Sequence, residues 1–316
     1  MRRLKASFAQ NPMAWGFALA LIGAVCFSAK AIVVKLAYAY PVDATTLLAM
    51  RMILSAPLFL AALVYTEYKS QDVPRISLKD LGLIVLAGLL GYYLASLFDF
   101  MGLQYITAGL ERLILFTYPS IVLLLTSVMH KRRPQAWQLA SMAVTYVGLA
   151  VVYGHETLLV NEKTSLGAIL VFISAVCYAS YMVVGENLLK RLGTTRVTSL
   201  ATLVSATAIL IQVSIQQPLS VILDQPAGVW GLSIVNAVFC TFVPVFAVMT
   251  AIGLMGASRV SQIGMVGPIA TIALGTWILD EPFTIWHAAG TALVMVGVAM
   301  LTMKKHENQL KQENKA

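Results

Sequence analysis

Ten apolar runs, each long enough to cross a lipid bilayer as a helix, dominate this sequence. A membrane-spanning helix needs about 20 mostly apolar residues. The runs are apolar nearly all round rather than alternating, so helices, and not a closed barrel, satisfy the backbone hydrogen bonds in lipid. The sequence therefore predicts an all-α integral membrane protein with ten transmembrane helices. The predicted spans cover residues 15–39, 44–66, 80–103, 107–129, 135–153, 165–188, 197–216, 229–252, 258–279 and 284–303.

Composition excludes a soluble enzyme and leaves no room for a second, water-soluble domain. Of 316 residues, 59% are hydrophobic and 11% charged, whereas soluble domains carry about a quarter charged residues. The mean hydropathy of +0.81 agrees. The net charge of +8 does not indicate a nucleic-acid partner, because the basic residues cluster between spans.

The basic residues predict the orientation of the chain. With the N-terminus inside, 17 of the 22 lysines and arginines fall in inside segments, and only Lys163 falls in an outside segment. Basic residues accumulate on the cytoplasmic side of membrane proteins. We therefore expect a multi-pass protein of the bacterial inner membrane with both termini cytoplasmic.

Two halves of the chain share residues at a constant spacing. Pro119 and Pro268 are 149 residues apart, as are Trp137 and Trp286, and Gly148 and Gly297. The first span of each half carries the triplet Ala-Val-Cys, here at an offset of 151. An internal repeat with a two-residue insertion explains both offsets.

The repeat divides the chain into two units of five spans each. Because five is odd, the second unit enters the membrane from the opposite side, and the repeat is inverted, a feature of secondary transporters. The predicted domains are a cytoplasmic N-terminal segment, a first repeat, a periplasmic linker, a second repeat and a cytoplasmic tail. Their ranges are 1–12, 13–153, 154–164, 165–303 and 304–316.

These motifs resemble the EamA-domain family of the drug/metabolite transporter superfamily. The resemblance rests on the Gly-x7-Ala-Val-Cys-Phe/Tyr first helix and the Ala-x10-Pro fourth helix of each half, and on Asp280-Glu281-Pro282. It implies proton- or solute-coupled transport of small metabolites, usually export. It also implies a cavity lined mainly by spans one, three, four, six, eight and nine.

Ionisable groups within a span are costly and mark candidate functional sites. Five such groups fall in the outer half of the predicted membrane region, and their charges leave about one positive charge in excess. They predict a site for an anionic or zwitterionic ligand. The candidate substrate or coupling residues are Lys30, Arg51, Asp99, Glu111 and Arg112, with the polar or aromatic residues Tyr92, Ser96, Tyr178 and Tyr181.

Each charged candidate also has a structural interpretation. Lys30, the deepest cation, is the first candidate for substrate contact or coupling, or else forms an ion pair with Asp99 that locks the bundle. Glu111 is either a site residue or a complement to the helix dipole. Arg112 either faces the site or reaches the headgroups. Arg51 either belongs to the site or pairs with a carboxylate on a neighbouring span.

Tyr92, Ser96 and Asp99 form one stripe on span three, which favours a cavity-facing position for Asp99. Pro119 and Pro268 occupy equivalent places in spans four and nine. A proline removes a backbone donor and invites a kink. Matched kinks suit gating, and ordinary kinks in a membrane bundle are the alternative.

Function follows as a secondary active transporter working by alternating access, with amino acids or related carboxylated metabolites as its substrates. Multidrug efflux of lipophilic cations is the alternative. An intramembrane enzyme needs a compact catalytic set, and none occurs. We expect no metal or cofactor, a small-molecule substrate and the lipid bilayer as partners, protons as a candidate coupling ion, and a monomer or homodimer.

Overall fold

The computed structural model describes residues 12–69, 75–131, 133–159, 163–255 and 257–313. Every regular element within these ranges is a helix. The helices are α1 Pro12–Ala37, α2 Ala44–Lys69, α3 Leu78–Leu103, α4 Ala108–Leu115, α5 Tyr118–Met129, α6 Ala136–Leu159, α7 Thr164–Leu192, α8 Thr194–Gln216, α9 Ser220–Leu223, α10 Ala227–Met255, α11 Ala257–Gly264, α12 Val266–Ile278 and α13 Ile285–Glu313.

Eight stretches in the described part of the chain are long and apolar enough to cross a membrane. They match the first eight predicted spans, with α4 and α5 together forming the fourth. The apolar helices Val266–Ile278 and Ile285–Met300 are shorter and correspond to the ninth and tenth. The structure confirms an all-helical protein, and the count of ten spans stays a prediction.

The fourth and ninth predicted spans are each broken into two helices at equivalent positions. The first break falls at 116–117 and the second at Met265, 149 residues after Phe116. Pro119 lies in the first turn of α5, and Pro268 in the first turn of α12. Proline cannot donate the helical hydrogen bond, and the chain before it avoids regular helix. Near the first break, the Thr117 hydroxyl donates to the Ile114 carbonyl at 2.7 Å.

Helices α3 and α10 each contain a π-helical segment, which the sequence analysis did not predict. The segments are Gly88–Leu94 and Val238–Phe242. They also coincide when the halves are aligned at an offset of 149. Such bulges displace the helix register and often occur at functional sites.

Small residues bring α6 and α13 into close contact. The Ser141 hydroxyl donates to the Gly297 carbonyl at 2.5 Å, and a Cβ on Gly148 would lie 2.7 Å from the Gly290 carbonyl. Contacts that rise along one helix and fall along the other show that the pair is antiparallel. Small residues permit such backbone approach between membrane helices.

A second contact also recurs in both halves. The Ser174 hydroxyl of α7 donates to the Ala95 carbonyl of α3 at 2.6 Å. At the repeat offsets, the equivalent pair is Gly23 of α1 and the Pro244 carbonyl of α10, where a Cβ on Gly23 would be 3.4 Å away. Helices α1 with α10 and α7 with α3 therefore pack in the same manner.

Candidate functional site

Lys30 holds two carboxylates from two other helices. Its Nζ lies 2.5 Å from Asp99 Oδ2 and 3.3 Å from Glu111 Oε1. Asp99 and Glu111 are 2% and 0% exposed. The ion pair that the sequence offered as an alternative therefore exists. It joins α1, α3 and α4 inside the helical bundle, and Glu111, in the first turn of α4, takes part in it.

The carboxylates of this cluster are not fully hydrogen-bonded. Asp99 Oδ1 and Glu111 Oε2 are buried and have no hydrogen-bond partner. Lys30 is the one cation within 4.0 Å of either carboxylate among the described residues. Two carboxylates thus share one ammonium, which leaves room for a proton or for a cationic group of a ligand.

Arg51 lies beside the cluster without an ion pair. Its Nη2 donates to Ser96 Oγ at 2.8 Å, and its guanidinium carbon lies 5.1 Å from the Phe100 ring centroid. No carboxylate of the described residues forms an ion pair with Arg51 within 4.0 Å, and its place in a binding site stays a prediction. Arg51 is 5% exposed and its Nε lacks a partner.

The guanidinium of Arg112 lies against the break in the second half of the chain. Its guanidinium carbon lies 5.4 Å from the Phe116 ring centroid. A Cβ on Gly267, which begins α12 with Val266, would lie only 2.7 Å from Arg112 Nη2. Arg112 also forms no ion pair in the described part of the chain, and its buried Nε has no hydrogen-bond partner. Its guanidinium is therefore available to an anionic group.

Four tyrosines of the site form a chain of ring contacts. Tyr92 and Tyr181 meet edge to face at 5.4 Å, with hydroxyls 3.4 Å apart. Tyr178 contacts Tyr181 at 5.8 Å and Tyr118 edge to face at 5.3 Å. Gly91 leaves room for the Tyr181 ring. The structure thus brings together the predicted residues Tyr92, Tyr178 and Tyr181.

Tyr118, Phe100 and Phe116 were not among the predicted residues. Tyr118 and Phe116 flank the break before Pro119, so the proline was the available signal. At the second break, the Gly267 carbonyl accepts a hydrogen bond from the Ser28 hydroxyl of α1 at 3.0 Å. This bond connects α1 of the first half to the break in the second half. The predicted residues therefore form one continuous region around both breaks.

Both halves match the same family of membrane proteins. The model of the EamA-like transporter family matches residues 14–154 and, separately, residues 165–303. The chain belongs to the EamA-like transporter family.

Relatives of this EamA-like transporter are transporters by name. Uncharacterized transporter YcbK of Bacillus subtilis (strain 168) is 27% identical over 288 residues, which are 90% of this chain and 92% of that protein. Uncharacterized transporter YyaM of the same organism is 26% identical, over 79% and 81%. An uncharacterized transporter of Archaeoglobus fulgidus is 24% identical, over 73% and 81%.

A solved crystal structure shares the fold. Its TM-score is 0.63 at 15% identity, over 91% of this chain and 98% of that one. At this identity the likeness establishes the fold alone. Together with the family match, it identifies a multi-pass membrane transporter.

A second polar network of the EamA-like transporter lies outside the predicted site, where α1, α4, α6 and α13 meet. Lys35 donates to the Ile106 carbonyl at 2.7 Å and pairs with Glu281 at 3.2 Å. His287 is 3% exposed and lies against Glu156. The partners in each pair are more than a hundred residues apart, and no local sequence motif predicts that they meet.

No group of three or more histidine, cysteine, aspartate or glutamate side chains in the described ranges is arranged to hold a metal ion.

Proposed function

We propose that this chain is a secondary active transporter that exports small carboxylated or zwitterionic metabolites, amino acids foremost, by alternating access. The observation that carries this proposal is the guanidinium of Arg112, which forms no ion pair among the described residues and lies between the Phe116 ring and the break before α12. An arginine fork binds a carboxylate with two parallel hydrogen bonds.

The charges around Arg112 favour a ligand that carries both a carboxylate and an ammonium group. Lys30, Arg51 and Arg112 face Asp99 and Glu111, so the site carries one net positive charge when all five are ionised. A ligand carboxylate compensates that charge. An ammonium group of the same ligand has the buried, unpartnered oxygens of Asp99 and Glu111 as acceptors.

Alternating access rests on the repeat. Matched breaks, matched π segments and two separate family matches support two five-span units of opposite orientation. In such transporters, broken helices near the midplane surround the substrate, and one half rocks against the other. The ten-span, N-in/C-in arrangement in a bacterial inner membrane, and the state of a monomer or homodimer, belong to this proposal.

Protons are the proposed coupling ion. Two buried carboxylates on one lysine cannot both keep a full charge cheaply in a low-dielectric interior. A proton on one of them and the ammonium of a ligand thus compete for the same oxygens. Binding of a proton then displaces the ligand, and binding of the ligand displaces the proton, so that the inward movement of protons drives export.

A thermal-shift screen of the detergent-purified protein tests the substrate class. Amino acids are compared with their methyl esters, which lack the carboxylate. A ligand of the folded state raises the apparent melting temperature by mass action. We expect shifts with the acids and not the esters, and loss of this discrimination in Arg112→Gln. Arg259→Gln, which alters an exposed arginine that contacts Met13, is the matched control.

Multidrug efflux of lipophilic cations is the second candidate, because the tyrosine faces of Tyr92, Tyr118, Tyr178 and Tyr181 suit a cation. Its signature in the same screen is stabilisation by lipophilic cations that persists in Arg112→Gln. That result, with no response to amino acids, overturns export of carboxylated metabolites.

A further inference from the structure

Glu281 connects the second half of the chain to the first. Its carboxylate accepts two contacts from the Ala108 amide, at 2.9 and 3.1 Å, and pairs with Lys35 at 3.2 Å. Ala108 begins α4, and a carboxylate at a helix N-terminus satisfies free amides and complements the helix dipole. The loop between α12 and α13 is thereby fixed to the start of the broken fourth span.

His287 and Glu156 form a second link beside the first. His287 Nε2 lies 3.3 Å from Glu156 Oε1, and the same oxygen accepts the hydroxyl of Thr107, the N-cap of α4. The Thr284 amide donates to His287 Nδ1 at 3.3 Å. A ring nitrogen that accepts carries no proton, so this network assigns the proton of neutral His287 to Nε2.

The two links together carry an uncompensated charge. We call Lys35, Thr107, Glu156, Glu281 and His287 the outer latch. Lys35 neutralises Glu281, but Glu156 has only neutral His287 and Thr107, and its Oε2 is buried without a partner. Glu156 is 1% exposed. A buried, unpaired carboxylate is costly, and one added proton removes that cost.

Other titratable groups around the latch do not supply this charge. His155 meets the His287 ring edge to face at 5.6 Å. Lys163 lies over the Tyr105 ring, and Asp280 forms no ion pair among the described residues. A small cavity lined by Thr107, Thr276, Glu281 and His287 lies against the latch.

We propose that the outer latch is a proton-binding site that controls opening of the outer end of the bundle. A proton added at His287 Nδ1 makes the ring a cation beside Glu156. Nδ1–H then donates to the Thr284 hydroxyl, 2.9 Å away, and no longer accepts from the Thr284 amide, so the gain from pairing Glu156 must exceed the loss of that 3.3 Å contact. The closed latch therefore binds this proton, and opening to water releases it. By linkage, acid outside holds the outer end closed, and raising the external pH opens it.

The inference rests on the alternating access of the proposed function but not on any substrate. It is tested by labelling intact cells with a membrane-impermeant thiol reagent. The background lacks Cys26, Cys177 and Cys240. The reporter is Ile272→Cys, a buried position that lines the cavity beneath the latch. Leu219→Cys, which is 51% exposed, corrects for the reactivity of thiols with pH.

We expect corrected labelling of Ile272→Cys to rise about fivefold or more when the external pH is raised from about 5.5 to about 8. Adding His287→Gln is expected to keep labelling fast at both values. Glu156→Gln, which removes the surplus charge, is expected to keep it slow at both. His155→Gln is the matched control and keeps the response.

Two outcomes overturn the latch. One is labelling that does not depend on pH in the protein with His287 and Glu156 intact. The other is a pH response that survives in both His287→Gln and Glu156→Gln. His287→Gln is expected to keep labelling fast and Glu156→Gln to keep it slow. A folding defect in one variant therefore does not hide the result. Loss of amino-acid binding in the thermal-shift screen overturns the substrate class and leaves this experiment unaffected.

Discussion

The guanidinium of Arg112 occupies the space that a side chain on residue 267 would need. Gly267 begins the helix after the second break, and its missing Cβ leaves room for an arginine from the first half. At the repeat offset of 149, its counterpart in the first half is Tyr118. The two breaks are therefore equivalent in position but different in chemistry, with an arginine seated on one and a tyrosine at the other.

Gly267→Ala is expected to displace the Arg112 guanidinium and weaken substrate binding. A Cβ 2.7 Å from Arg112 Nη2 forces that flexible end to move. Because the lost interaction is one hydrogen-bonded ion contact, KM for export is expected to rise about tenfold with little change in kcat. Gly253→Ala, where no heavy atom lies within 4 Å, is the control. An unchanged KM in Gly267→Ala would place Arg112 outside the binding site.

Lys30→Met is expected to destabilise the protein strongly. It leaves Asp99 and Glu111 buried without a cation, and breaking a buried ion pair costs about 3–5 kcal/mol. The combined variant with Asp99→Asn and Glu111→Gln removes the stranded charges and is expected to recover part of the loss. Thermal unfolding in detergent measures both. Lys190→Met, which breaks an exposed pair with Glu186, is expected to change little.

Gly290→Ala is expected to separate α6 from α13. The new Cβ would lie 2.6 Å from the Gly148 carbonyl and overlap Val152. Overpacking of this kind costs about 1–3 kcal/mol and lowers the melting temperature. Gly154→Ala, on α6 with no heavy atom within 4 Å, is expected to be neutral. Equal melting temperatures for the two variants would contradict the close packing.

Asp43, at the start of α2, predicts a fall in stability in acid. Partial burial acts to raise the pKa of Asp43, but hydrogen bonds from Thr46 and Gln217 outweigh it and hold that pKa below its ordinary value. A depressed pKa in the folded state contributes stability above the unfolded value, about 3.9, which is lost as the pH falls through the folded value.

The expected result is a melting temperature that falls below about pH 4, with a shallower fall in Asp43→Asn. Asp224→Asn, at an exposed position near the end of α9, is the control and is expected to retain the wild-type slope. A wild-type slope in Asp43→Asn would show that another group is responsible.

Local sequence was enough to predict the first eight spans and to place a kink-forming proline in each of the fourth and ninth. Pro119 and Pro268 mark the two breaks because a proline removes a backbone donor wherever it stands. Hydropathy predicted the first eight spans, because a helix in lipid satisfies its backbone hydrogen bonds within its own segment. The cost of ionisable groups in lipid likewise selected five residues, of which Lys30, Asp99 and Glu111 form one ion-paired cluster.

The π segments and the outer latch were beyond sequence reasoning. Gly88–Leu94 has the composition of an ordinary helix. His287 and Glu156 are 131 residues apart, and neither carries a local motif. Only the packing of α6 against α13 makes them neighbours.

The sequence by itself determined that this chain is a helical membrane protein made of two like halves, and which ionisable groups lie within its predicted spans. These properties depend on the transfer of each segment from water to lipid, a local free energy summed along the chain. The tertiary structure alone decided the partners: Lys30 for two carboxylates, Arg112 for the break at Gly267, and His287 for Glu156. Long side chains have several partners within reach, and only the packing of distant helices selects among them.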